Sequence, residues 1–563
     1  MKICQQCRGK FEISDVEKEF FQSIGLKFGE KVVKIPEPKL CPDCRSQHRM
    51  MFRNDRVFYS RKCDLSGKKF ISLYPEDSEF KVYHPDEWYG DGWDVKDFGR
   101  DFDFKKPFFE QYKELMMEVP RLGIDIVNCE NSNYCNYCGD DKNCYLDIAG
   151  EANEDCYFNL FVKYSKNVVD CTFVYNSEVC YECINSYDCY GCQNSMYLEN
   201  CSDCYFCFDL KGCRNCIFCS GLRDKEYFIF NKKKTKAEYE KYMKGLKMTS
   251  HKQREKLYAG WTKFKLENAV FRDAYLLSCE NCSGNNLKNC KNTLYSFNAT
   301  NCEDCRYLFD VLDAKDCQDL NYSLYKPEVS YELISTLNMV RCAFCMASHY
   351  NSDCYYVDLT NNSQNLFGCI GMNHAQYCIL NKQYTRSEYE ELVPRIIEQM
   401  KENGDHRQGG AGWGQFFPVE LSPFAYNETV ADEYFRLGKE EVGKNGWRWK
   451  EGVGGSKVEG GGCVVADDIG DVDERVCKEI LMCEKSGKSY KIIPQELKFY
   501  KKMGIPVPRR APDARHRDRI ELRTPRQLWK RKCMKCGAEV LTAYSGERKE
   551  KIYCEECYLG EVY

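Results

Sequence analysis

The sequence predicts a mainly β protein: a Cys-rich β-solenoid in two parts, flanked at both ends by tandem zinc-ribbon-like modules and joined by connecting helices. Three observations predict it. Cysteines pair as Cys-x2-Cys knuckles near both termini, the central cysteines share one register modulo three, and two long stretches recur at constant offsets.

The chain of 563 residues is long enough for several domains, each with its own core. With 30% charged residues and a formal net charge of -4, it is neither a uniformly basic nucleic-acid coat nor a polyanion mimic. It has 39 Cys against 7 His, so any metal site must be built almost wholly from thiolates. The opening residues Met1-Lys2-Ile3-Cys4-Gln5-Gln6-Cys7 carry no apolar export segment, and no run of about 18 apolar residues follows. A cytoplasmic protein with no membrane span is therefore expected. Its thiols should stay reduced, as metal ligands or buried small hydrophobes.

The elements run in order. Residues 1–54 read as an intact ribbon. Cys4/Cys7 and Cys41/Cys44 each present two thiolates from one tight turn, and two such turns close a tetrahedral shell. The insert reads as a helix, with Ser14 and Glu17 as a capping box, Phe20, Phe21 and Ile24 as an apolar stripe and Gly25 as a stop. Residues 55–100 read as a degenerate copy of the C-terminal ribbon, 529–563. Arg61-Lys62-Cys63-Asp64-Leu65-Ser66-Gly67 aligns with Arg531-Lys532-Cys533-Met534-Lys535-Cys536-Gly537, and His84 and Glu87 fall where Cys554 and Cys557 stand, at an offset of 470. The same offset lays Cys41 and Cys44 on Ala511 and Ala514, and Cys483 with Ser486 mirrors Cys4 with Cys7. Residues 477–528 are thus a second degenerate ribbon, with a helix through Leu497, Tyr500 and Met503 to Gly504. Two structural Zn2+ sites follow: Cys4, Cys7, Cys41, Cys44 and Cys533, Cys536, Cys554, Cys557. Cys63, His84 and Glu87 form a further, incomplete candidate set. Shape kept where ligands are lost argues for structural rather than catalytic zinc, which needs an open position for water.

A connecting helix and linker occupies 101–128. From Cys129 to Cys219, sixteen cysteines all fall in one register modulo three. The other positions of that register are mostly small or apolar (Ser132, Val162, Ser177, Leu198), with Asp141, Asp147, Asn153 and Asn159 as exceptions. Helix period is 3.6 and strand period 2, so neither fits. A solenoid of short faces with rungs of roughly 12 to 18 residues does, one small side chain per triplet pointing to a narrow axis. Asn and Asp suit the corners and Tyr the outer face; a bundle of polyproline-II helices is the alternative. Residues 129–231 are the first half. The second, 269–381, opens at Cys279 and Cys282, slips register at Cys290, Cys302, Cys305 and Cys317, and resumes at Cys342. The halves end alike at an offset of 150, Cys219-Ser220-Gly221 matching Cys369-Ile370-Gly371. Clusters such as Cys201/Cys204/Cys207 and Cys213/Cys216/Cys219 read as core filler, with metal binding as the alternative.

The linker 232–268 is helical and basic, with twelve Lys/Arg against three Glu from Lys232 to Lys265. A second basic stretch, Lys501 to Lys535, has thirteen Lys/Arg against three acids. Basic residues beside aromatics suit phosphate backbones, so RNA or DNA is the expected partner, with a solvated surface as the alternative. A helix is expected over 382–403. The Gly- and aromatic-rich stretch 404–476 is expected to pack as irregular structure. No catalytic triad, carboxylate pair or dinucleotide fingerprint is present, and Gly487-Lys488-Ser489 lacks the earlier Gly of a phosphate loop.

Cys4-Gln5-Gln6-Cys7, Phe11, Glu19-Phe20-Phe21 and Cys41-Pro42-Asp43-Cys44-Arg45 resemble the bacterial "probable zinc-ribbon" domain family over about the first 50 residues. The longer architecture is similar to Cys-rich multi-zinc-ribbon proteins of candidate-phyla bacteria, Trp413-Gly414-Gln415-Phe416-Phe417-Pro418 included. The resemblance implies zinc binding only. The expectation is a non-enzymatic zinc scaffold binding nucleic acid through 232–265 and 501–535. The alternatives are a protein–protein assembly platform and a thiol-based metal store or redox protein.

Overall fold

A computed structural model describes residues 1–29, 31–323, 325–334, 336–404, 412–453 and 463–563. It is strand-rich, and its central stretches are parallel ladders advancing twelve residues at a time. Glu130 pairs with Lys142, Lys142 with Glu154 and Glu154 with Lys166. The strands Leu160–Lys163, Thr172–Tyr175, Ile184–Tyr187, Met196–Glu199 and Phe208–Lys211 keep that step.

The period of three has a backbone cause. In the first stack one left-handed residue stands immediately before each inward one, as at Asn131 (φ 48°), Asp140 (57°), Asn143 (54°) and Asp155 (54°). Asn and Asp tolerate that region better than other L-residues, which accounts for their recurrence before Cys. Tyr134 (φ 56°) and Phe161 (φ 52°) adopt it too. Hydrogen bonds between turns hold them there: Asn143 N–H donates to Glu130 O at 2.9 Å and Phe161 N–H to Ile148 O at 2.9 Å. A polyproline-II helix has no such internal bonds, so parallel ladders replace that alternative.

Away from the ends of each stack the register positions point inward and are buried; Cys156, Val162, Cys171 and Cys180 expose nothing. Their side chains do more than fill space. A Cys or Ser there can accept the N–H of the register residue one turn on: Cys183 N–H bonds Cys171 Sγ at 3.3 Å, and Cys207 N–H bonds Ser195 Oγ at 3.0 Å. The thiol in turn donates to a carbonyl of the next turn, Cys204 Sγ to Cys213 O at 3.6 Å. A buried N–H without a partner is costly, so the position favours a small side chain carrying an acceptor. Reading these cysteines as plain small hydrophobes misses that acceptor role.

The register slip has a cause as well. Glu280 pairs with Lys291 (291 − 280 = 11) and Lys315 with Glu328 (328 − 315 = 13), one short turn and one long turn that cancel.

The described residues divide into two compact units. One comprises Met1–Ile124, Ala274–Lys450 and Arg526–Leu528; the other comprises Asp125–Asp273, Glu451–Pro525 and Trp529–Tyr563. Each combines one set of twelve-residue parallel ladders with one terminal segment of the chain, and the N-terminal segment belongs with the later ladders. In the first unit the helix Pro42–Met50 sets Arg45 against Asp319 (Nη2 to Oδ2, 2.8 Å) and Arg49 against Asn321 (Nε to Oδ1, 2.9 Å). In the second the helix Pro512–Leu522 sets Arg515 and Arg519 against Asp170 at 3.1 and 2.7 Å. Arg515 and Arg519 are the positions 470 beyond Arg45 and Arg49 (515 − 45 and 519 − 49). A further matched pair of bonds repeats: Ser72 Oγ donates to Gly123 O at 2.9 Å, and Thr542 Oγ1 to Asp273 O at 2.6 Å.

Helices span Asp15–Ser23, Phe108–Glu118, Lys236–Gly245, His251–Asn268, Arg386–Gly404 and Pro494–Met503. The Ser14/Glu17 capping box forms in both directions, and the helix stops two residues before Gly25. Gly504 ends its helix in the left-handed region, φ 61°. Of 404–476, residues 405–411 and 454–462 lie outside the described residues; the rest is irregular, with short helices such as Lys439–Lys444 and turns such as Tyr426–Glu428. No helix among the described residues is long and apolar enough to cross a membrane.

Candidate metal centres

All four knuckles, intact and degenerate, have the same backbone turn. The first Cys donates its N–H to the carbonyl five residues on: Cys4 to Gly9 at 2.9 Å, Cys63 to Lys68 at 2.8 Å, Cys483 to Lys488 at 2.9 Å and Cys533 to Ala538 at 2.8 Å. The residue four on is left-handed in each: Arg8 (φ 61°), Gly67 (72°), Gly487 (67°) and Gly537 (80°). Gly takes that conformation without strain, which fixes its place after three of the four knuckles.

In the intact modules this turn meets a second Cys pair at a helix start. Cys41 precedes Pro42–Met50 and Cys554 precedes Glu555–Val562. The four ligand sulfurs of Cys4, Cys7, Cys41 and Cys44 lie within 4.8 Å of one another, as do those of Cys533, Cys536, Cys554 and Cys557. Each quartet can hold a metal ion. Cys7 and Cys41 sulfurs are 3.8 Å apart, Cys536 and Cys554 sulfurs 3.7 Å. Backbone N–H groups aim at the sulfurs, Cys41 N–H to Cys4 Sγ at 3.3 Å and Gly9 N–H to Cys7 Sγ at 3.4 Å, which favours thiolate. A hydrogen bond from the Cys44 thiol holds Cys41 down to about 5, and the same bond pushes Cys44 up. At the other end burial raises Cys533, but the backbone N–H groups of Cys536 and Cys554 outweigh it and bring the thiol to about 6.

The degenerate copies keep the turn without the quartet. Among the described residues Cys63, His84 and Glu87 form no metal-holding group. His84 N–H still bonds Cys63 Sγ at 3.3 Å, but the imidazole is spent on its own helix, Nδ1 accepting from Asp86 N–H at 3.1 Å. Cys63 instead packs with Tyr83, Trp88 and Leu122. In the other copy, Ala511 takes the helix-cap position of Cys41, with φ -58° and ψ 153° against -67° and 161°. Restoring Ser486→Cys, Ala511→Cys and Ala514→Cys beside Cys483 is expected to add one metal equivalent per chain. Elemental analysis of the purified triple variant checks this; unchanged content would mean that the retained turn is not ligand geometry.

The clusters Cys201/Cys204/Cys207 and Cys213/Cys216/Cys219 form no such group among the described residues. Burial pushes thiols such as Cys156, Cys305 and Cys369 up, whereas hydrogen bonds from Cys207 and Cys216 outweigh burial at Cys219 and bring it to about 5.

The two basic segments differ. Arg515, Arg519 and Arg523 are buried, the first two on Asp170 and Arg523 over the Phe173 ring at 3.8 Å. Arg509 Nη2 donates to Val465 O at 2.7 Å, and Arg510 pairs with Asp518 at 2.7 Å. Along 232–265, by contrast, Lys236, Lys241, Lys244, Lys247, Lys252 and Lys256 are exposed. Lys265 turns inward, where burial lowers it to about 8. Sequence reasoning ranked the segments together because charge density alone does not distinguish a buried arginine from an exposed lysine.

No protein-family model matches the chain, and no curated protein matches it. Among solved structures it is compared with one described as an acetyltransferase from Desulfovibrio desulfuricans G20, at 8% identity over 59% of this chain and 70% of that one, with a TM-score of 0.08. A likeness that slight carries no argument about fold or function.

Proposed function

We propose that this chain is a non-enzymatic scaffold whose terminal quartets hold zinc as ribbon modules, whose twelve-residue coils are β-solenoids, and which binds nucleic acid through the lysine face of 232–265. The sulfur spacing supports zinc. A tetrahedron with metal–sulfur bonds of about 2.3 Å has edges of about 3.8 Å, against the 3.8 and 3.7 Å between sulfurs of the two quartets. Closed four-thiolate shells leave no position for a reacting water, in keeping with structural metal. The resemblance of the first 50 or so residues to zinc-ribbon domains points the same way.

The observation that carries the partner is the exposure of lysines along the helices Lys236–Gly245 and His251–Asn268. The second basic segment is withdrawn from this reading, because its arginines are largely engaged with the protein itself. Replacing Lys244, Lys247, Lys252 and Lys256 by Glu is expected to weaken binding of single-stranded RNA or DNA by about tenfold or more. The salt dependence should flatten by roughly 0.7 in log–log slope for each phosphate that the variant no longer neutralises. Fluorescence anisotropy across a salt series measures both; wild-type binding that ignores salt, or no binding, removes the nucleic-acid reading. A protein–protein platform is the second reading, favoured by the exposed Tyr164, Tyr187 and Tyr190 on the coil surface.

A further inference from the structure

We propose a third metal site, inside the first stack of coils, formed by Asp141, Cys144 and Asp147, that takes one divalent cation of the zinc class. One ligand atom from each of these three residues lies within 4.8 Å of the others, and all three are buried. They are consecutive inward positions of one turn, and two are among the polar exceptions to the small-residue register.

The fold does not need their charge. Asp141 Oδ1 accepts Asn153 N–H at 3.0 Å, the bond that a register residue makes to the next turn. Asn153 and Asn159 make the same bond, to Ser165 N–H at 3.1 Å and Cys171 N–H at 2.9 Å, with a neutral amide. Asparagine at 141 would serve equally. Instead Asp141 Oδ2 sits in a residue 1% exposed and has no hydrogen-bond partner.

That oxygen and an Asp147 oxygen crowd toward one point, which no side chain could share. The next inward position is Gly150, and a Cβ there would stand 2.7 Å from Asp141 Oδ2, 2.8 Å from Asp147 Oδ2 and 2.9 Å from Asn153 Nδ2. Glycine, not a side chain, thus occupies the point on which both carboxylates converge. The second stack supplies a control, since a shift of 149 maps 141, 144, 147 and 150 onto Cys290, Thr293, Ser296 and Ala299. Those residues are buried and neutral, and the coil forms with them. Lys163, the buried cation of this stack, is paired with Glu151 at 2.9 Å. Two carboxylates enclosed together, with the nearby Lys163 committed to Glu151, are costly, and a dication bound by them and the Cys144 thiolate removes that cost. Oxygen and sulfur donors together suit zinc better than calcium or magnesium. Binding releases the Cys144 thiol proton to solvent.

The test uses the full chain loaded with zinc. Wild type is expected to hold one equivalent beyond the terminal quartets, and its zinc absorption-edge spectrum is expected to need an oxygen shell beside sulfur. Asp141→Asn with Asp147→Asn, which keeps the hydrogen bonds, should lose that equivalent and the oxygen shell together, with circular dichroism unchanged. A wild-type spectrum fitted by sulfur alone, with two equivalents per chain, overturns the proposal whether or not the variant folds; it would mean that the carboxyls share a proton instead. Failure of the terminal zinc reading is distinguishable, since it would remove the sulfur-only component.

Discussion

Cys536→Ser is expected to cost the chain one metal equivalent and to leave the C-terminal module open to protease. Structural zinc supplies about 10–16 kcal/mol of apparent binding energy in small modules, most of which becomes folding energy. Tyr544 and Ile552 pack in a core with Phe208 and Phe271, but the knuckle has little else to hold it: Cys536 and Met534 are exposed, and the hairpin Trp529–Lys532 with Glu539–Thr542 is only two strands. The degenerate copy at 55–100 shows what substitution for metal requires, namely the packing of Trp88 and Tyr83 against Cys63. Limited proteolysis with elemental analysis reads the effect, and a strong chelator should reproduce it on wild type. Unaltered metal content in the variant, or a module as resistant without metal as with it, would refute the structural role.

Asp170→Asn should destabilise the second unit by about 3–5 kcal/mol, the cost of breaking a buried ion pair by removing one partner. Asp170 is wholly buried and holds two guanidinium groups, Arg515 at 3.1 Å and Arg519 at 2.7 Å. The amide keeps the shape but leaves two buried cations with Glu496, 3.8 Å from Arg515, the less direct charge of Glu182, and neutral acceptors such as Phe158 O. Asp319→Asn should act alike in the first unit, where Arg45 and Arg49 share that carboxylate. Replacing Asp170, Arg515 and Arg519 together by apolar residues of similar volume should restore most of the loss. Denaturant midpoints measure all three; a single Asn variant within about 0.5 kcal/mol of wild type would show that these pairs are dispensable.

Much of the candidate site was legible because its chemistry is local. Two thiolates from one knuckle need only Cys-x2-Cys, with a left-handed residue such as Gly67 or Gly537 to close the turn. The period of three was equally plain, since every inward residue of the first stack follows a left-handed one, and sixteen cysteines in one register record it. Less was visible where one residue type serves two environments. Arg515 and Lys244 both read as phosphate binders, yet Arg515 is buried on Asp170 and Lys244 is exposed. His84 looked like a ligand by alignment with Cys554, but its imidazole caps a helix. The exceptions Asp141 and Asp147 stood out as polar residues in an apolar register without indicating that they face each other across a glycine.

The sequence by itself determined the thiolate quartets, the triplet coil and the duplication at offsets of 470 and 150, because each is written in spacings that a few neighbouring residues enforce. Only the tertiary structure decided that the N-terminal segment belongs with the later ladders, that Asp319 and Asp170 receive the matched arginines, and that inward Cys and Ser accept the next turn's N–H. Those pairings join residues up to several hundred positions apart. They depend on complementary shape and charge, and no single Arg or Asp reveals in sequence which partner burial will bring to it.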